Sequence, residues 1–279
     1  LGAIGIPLIV GKWMDFKGKL HQWAMPIMII GTITITFGAL SIVWMEWAHN
    51  TIYIGSVFVM FSALLYVIYS WGKLIKDGTA GIEKPTFGQK IKALLADPLK
   101  FGSGWQMVFM NFTVSGVGIF MAIRLEQIFR VWPHREERIT LTGHWHILSG
   151  LIATIILFYF IDLSGIKGKM RKWAGWTIIL GSDFAFGAAT VFSMKRLFVS
   201  DIAQQPLVNT TMLIIDFGLG IILVLLAIFM GWRLFDLFSK DGLWAEEYDA
   251  EQKANAQADI EDQKRKLAEL EATLKEVSK

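Results

Sequence analysis

The chain has no cysteine in its 279 residues. That absence excludes disulfides, thiolate-ligated zinc, iron–sulfur clusters and covalent c-type haem attachment. Any bound metal must be held by histidine, methionine, a carboxylate or a non-covalent cofactor. Excess charge is missing too, since 27 Lys and Arg against 24 Asp and Glu leave a formal charge of only +3. No nucleic-acid partner is expected from so small a surplus, and the basic residues fall in short stretches between apolar runs, where they act as topology signals.

What the chain has instead is apolar sequence. Hydrophobic residues make up 54%, with 20 Phe and 12 Trp, and mean hydropathy is +0.47. Several separate apolar runs of about twenty residues have no use in a soluble domain, whereas each is long enough to cross a bilayer as a helix. The predicted fold is therefore all-α, a polytopic transmembrane helical bundle in lipid. Full spans are expected at residues 22–45, 50–71, 103–123, 142–161, 174–194 and 207–232, with formal charges inside them only at Asp183 and Asp216. The first apolar run, Leu1 to Val10, is too short to cross and there is no initiating methionine, so it reads as a partial seventh span whose true start lies upstream or was trimmed.

Alternate loops differ in basic residues. Residues 11–21, 72–102 and 162–173 hold thirteen Lys or Arg, whereas 46–49, 124–141 and 195–206 hold six. The first set is accordingly expected in the cytoplasm, together with the C-terminal tail, in the cytoplasmic membrane of a bacterium or archaeon. Within 72–102, Thr86 can cap a short interfacial helix with Phe87, Ile91, Leu94 and Leu95 on one face, a plain loop being the alternative. From Trp244 the composition turns polar, with Ile260, Leu267, Leu270, Leu274 and Val277 at a and d spacing. The expected division is a membrane bundle, residues 1–239, and a charged helical tail, residues 240–279, available to dock a partner.

On this topology four of the five histidines, His49, His134, His144 and His146, gather toward the outer face. A six-coordinate b-type haem needs two axial ligands, apolar walls and cations for its propionates. His49 with His144 or His146 can supply ligands, and Arg124, Arg130, Arg135 and Arg138 lie nearby. Residues two apart on a helix point about 200° from each other, so His144 and His146 would serve two sites from regular helical positions. An extended backbone there would instead let one copper ion take both. His21, beside Trp23 at the inner end of the second span, is an interfacial histidine or marks a second haem or quinone site. Met45, four residues before His49, would share its face if the helix ran through both.

Asp183 stands near the middle of its span among Gly181, Ser182, Ala185 and Gly187, small residues that permit close helix approach. An ionisable group at that depth is costly and faces the bundle, where it serves a proton relay or quinol chemistry, or makes a structural hydrogen bond. Asn111, Thr113 and Ser115 are the expected partners, and Asp216 invites the same reading.

Gly143-His144-Trp145-His146, opening an apolar helix that ends near Tyr159 and Asp162, resembles the helix of haem-copper oxidase and nitric oxide reductase catalytic subunits in which two histidines separated by one residue ligate two haems. The resemblance covers about twenty residues and implies that His144 and His146 each serve a different iron. The chain has no adjacent His-His pair and is too short for the twelve helices usual in those enzymes, so reduction of oxygen or nitric oxide is not carried over. The expected function is an electron-transfer subunit of a respiratory complex, holding one or two b haems and linking an external cytochrome or redox subunit to the quinone pool alongside other membrane subunits. A non-catalytic anchor or assembly subunit, and a proton or cation transporter working through Asp183 and Asp216, are the alternatives.

Overall fold

The computed structural model describes residues 2–41, 44–45 and 47–239 and six positions of the tail, 253, 257, 260, 261, 263 and 264. Among the described residues there are helices and no strand: α1 (Gly2–Trp13), α2 (Lys19–Ser41), α3 (Ala48–Gly78), α4 (Phe87–Leu94), α5 (Pro98–Met110), α6 (Val117–Ile123), α7 (His134–Leu163), α8 (Gly168–Ser193) and α9 (Gln204–Phe238). A π-helical turn, Asn111–Gly116, joins α5 to α6, and a second, Leu125–Phe129, follows α6. Six of these stretches are long and apolar enough to cross a membrane: Gln22–Ser41, Asn50–Gly78, Pro98–Ile123, His134–Leu163, Gly168–Ser193 and Gln204–Phe238. Large apolar side chains such as Trp23, Ile33, Phe184 and Phe217 are more than half exposed, which only a lipid surround makes favourable. The chain is an integral membrane protein with an all-α fold.

It packs as two units, residues 1–224 and 225–279. In the first unit α1 is no loose fragment. Its Ile6 and Val10, with Met14 just after it, are buried against Tyr66 and Val67 of α3, Met107 of α5 and Ile155 of α7. Helices α2 and α3 approach at backbone distance, because a Cβ on Gly31 would lie 2.9 Å from the Gly55 carbonyl oxygen and one on Gly55 2.7 Å from that of Gly31. Small residues at such crossings replace the hydrophobic driving force that lipid cannot supply.

The short helix exists as α4. Thr86 accepts a hydrogen bond from the Gln89 amide, and the Gln89 side chain answers the Thr86 amide in a capping box. Its Leu94 is buried while Phe87 is 80% exposed, as an interfacial helix presents one apolar edge to lipid. At the same end of the first unit, Asp97 caps α5, Arg171 of α8 bonds both Asp97 and Asp162, and the Trp13 indole N–H donates to Asp162. This network ties together α1, α5, α7 and α8. Of the expected tail heptad only Ile260 is described, and it is exposed; Leu267, Leu270, Leu274 and Val277 lie outside the described residues.

Candidate functional site

Helix α7 begins at His134, eight residues before the span expected from hydropathy. Pro133 immediately precedes it, and Glu136 and Glu137 occupy its first turn, where carboxylates complement the positive end of the helix dipole. Lys195 pairs with Glu136, and Arg130 and His134 approach Glu137 at 3.4 and 3.5 Å. These pairings let a charged stretch continue the helix, so hydropathy alone placed its start too late. His144 and His146 consequently sit three turns inside a regular helix and do not open it. The extended backbone that would let one copper ion take both is absent, and no group of three or more His, Asp or Glu side chains among the described residues is placed to hold a metal.

The helix sends the two histidines to different cavities. His146 borders a cavity of about 890 Å³ between α7, α8 and α9, and His144 borders one of about 390 Å³ between α1, α2, α3, α5, α6 and α7. The first is apolar over most of its wall, with Phe186 and Phe192 from α8 and Met212 and Leu219 from α9, while His134, Arg135 and Arg138 stand at its α7 N-terminal end. Close approach of α8 to α7 depends on Gly143 and Gly150, where a Cβ would meet Ser193 at 2.7 Å and the Phe186 ring at 2.3 Å.

His146 Nδ1 lies 2.8 Å from the carbonyl oxygen of Thr142. A carbonyl only accepts, so Nδ1 donates, and in the neutral imidazole Nε2 then carries the lone pair, the arrangement that orients a metal-ligating histidine. His144 is held differently. Its Cε1–Nε2 edge lies where a Cβ on Gly118 would be 3.0 and 3.1 Å away, so it packs on the α6 backbone. Its Nδ1 is buried without a hydrogen-bond partner among the described residues.

Other expected site residues disperse. The Arg124 guanidinium donates to Gln127 and Arg130 spans Glu126 and Glu137, and neither borders a cavity. Arg135 and Arg138, which do, have no carboxylate partner among the described residues. His21 and His49 stand in the first turns of α2 and α3, but their side chains lie outside the described residues. Met45 is not on the helix that carries His49, because α3 starts at Ala48. Tyr53, four residues after His49 on α3, borders the smaller cavity, and that spacing was the signal in the sequence that points to it.

Asp183 does face the bundle, but Asn111, Thr113 and Ser115 are not its partners. Trp105 Nε1 donates to Oδ2 at 2.6 Å and Gln106 Nε2 to Oδ1 at 2.9 Å, Gln106 also reaching Ser182 Oγ at 2.9 Å. Register explains the substitution. Gly175 of α8 lies against Pro98 of α5, and eight residues further along each helix come Asp183 and Gln106. Thr113 instead donates to the Phe109 carbonyl of its own helix, and Asn111 and Ser115 border the smaller cavity. Asp216 does not face the bundle at all. Gly218 packs on Gly181, where a Cβ would be 2.5 Å from the carbonyl oxygen, so Asp216, about 200° round the helix, is exposed.

Comparison with protein-family models, with curated proteins and with solved structures gives no match. The functional reading therefore rests on the two cavities and the histidine each receives.

Proposed function

We propose that the chain is a membrane-embedded electron-transfer subunit that takes a b-type haem in the larger cavity, with His146 as an axial ligand. The observation that carries this is the fixed imidazole: Nδ1 bonded to the Thr142 carbonyl and Nε2 available on the wall of a cavity of about 890 Å³. The donor set fits the group. Arg135 and Arg138 carry unneutralised positive charge at one end for the propionates, and the remaining wall is aromatic and aliphatic. Met212, on the α9 wall, offers a thioether as second ligand, and a partner subunit facing the open side of the groove is the other source. When bound, the haem supplies one-electron transfer. The protein's part is to hold the imidazole tautomer, exclude water with Phe186 and Phe192, and balance carboxylate charge with the two arginines.

In this reading the basic loops and the tail lie in the cytoplasm of a bacterial or archaeal cell. An external cytochrome or redox subunit approaches the His134 end, and quinone and further membrane subunits complete the complex. The test is the dithionite-reduced minus oxidised spectrum of the purified full chain, with haem content measured for wild type and His146→Ala. Reduced b-haem bands that His146→Ala removes are the expected result. A colourless wild-type preparation overturns the reading in favour of an anchor or assembly subunit.

A further inference from the structure

The smaller cavity asks for a different occupant. No Asp, Glu, Lys or Arg borders it, so a charged ligand would enter without a counter-ion in a low-dielectric setting. Its volume of about 390 Å³ is less than half that of the larger cavity, and it suits a ring-sized molecule. Several of the polar groups on its wall are already spent. The hydroxyls of Thr32 and Thr36 donate to carbonyls of their own helix at 2.8 Å, and Tyr66 donates to Met25 Sδ at 3.6 Å.

Asn111 is the exception. It is 7% exposed, and its Nδ2 has no acceptor among the described residues. It begins the π-helical turn Asn111–Gly116, a local widening that helices carry mostly at functional sites. His144, with its unpartnered Nδ1, borders the same space. A buried amide donor left without an acceptor is costly, and an acceptor on a bound molecule removes that cost.

We infer that this cavity binds the head group of a quinone, one ring carbonyl accepting from Asn111 Nδ2 and His144 Nδ1 lying within the same pocket as a second polar contact. A neutral, flat, apolar ring bearing carbonyl acceptors matches an uncharged wall, aromatic neighbours in Tyr53, Tyr66 and Trp145, and one committed donor. The choice of a quinone among neutral acceptors rests on the electron-transfer reading above; the vacancy for an acceptor does not.

The experiment titrates the purified full chain with ubiquinone-1 and follows quenching of tryptophan fluorescence, Trp145 bordering the cavity. Saturable quenching is expected in wild type, weakened at least tenfold by Asn111→Leu and by His144→Leu and unchanged by Lys84→Ala, which borders neither cavity. Because Asn111→Leu can perturb folding, Ile119→Trp, which fills the cavity from its apolar wall without touching a polar group, is a second variant expected to abolish saturation while helicity by circular dichroism is retained. No saturable binding, binding indifferent to Asn111→Leu and Ile119→Trp, or binding lost only with His146→Ala each overturns the inference. A colourless preparation that still binds ubiquinone-1 through Asn111 sinks the haem reading alone.

Discussion

At the scale of single residues, α7 sends His144 and His146 to two different cavities with one tryptophan between them. The 200° turn between His144 and His146 was readable from spacing, and so was the run of arginines just before them in sequence. Which arginines would serve was not readable, because Arg130 is claimed by Glu126 and Glu137 while Arg135 and Arg138 keep their charge beside His146. Those two charges have a measurable consequence. If the proposed haem is held there, positive charge near its propionates favours the reduced form, whose net charge is one unit more negative. Neutralising them in Arg135→Gln/Arg138→Gln should shift the midpoint potential to more negative values in a redox titration, with haem content nearly unchanged. Arg124→Gln should leave the potential where it was, and an equal shift from both variants would show that the cavity assignment is wrong.

Between elements, stability comes from close backbone approach and from one polar link. At the crossing of α2 and α3, Gly55→Leu places a branched side chain where the Gly31 carbonyl and Ile35 already stand. Overpacking of this kind costs about 1 to 3 kcal/mol, and a lower thermal unfolding temperature in detergent is expected, whereas Gly72→Leu, with nothing within 4 Å of its Cβ, should be near neutral. The link between α5 and α8 makes a sharper contrast. Asp183→Leu leaves the Trp105 and Gln106 donors without their acceptor, a loss of about 2 to 6 kcal/mol for the two donors together. Asp183→Asn keeps an acceptor for one of the two donors and sets its own NH2 against the other, so it should cost less than Asp183→Leu but more than nothing by the same unfolding measurement. Equal losses would mean that the carboxylate, not the hydrogen-bond geometry, holds the helices. Existence of every span was legible in hydropathy, and the depth of Asp183 was legible too. Its partners were not, because the register that aligns Gly175 with Pro98 is set by packing between helices 77 residues apart in sequence. Asp216 shows the same limit, since only the contact of Gly218 with Gly181 decides which way its helix turns.

For the whole molecule, the fold leaves a polarity to be decided by charge. The end that carries α4 and the Arg171 network also carries thirteen of the nineteen loop Lys and Arg residues counted in the interspan segments, and the opposite end carries the His134, Arg135 and Arg138 group. Asymmetry of this size in short loops is the signal that orients helices during insertion. The lack of any cysteine turns the question into a clean experiment, because a single introduced thiol is the only labelling site. Lys84→Cys, in the stretch before α4, and Ser200→Cys, between α8 and α9, sit at opposite ends of the spans. In intact cells a membrane-impermeant maleimide should label Ser200→Cys and reach Lys84→Cys only after permeabilisation. The reverse pattern would put the His146 cavity's cationic end inside the cell, and with it the approach of the redox partner proposed above.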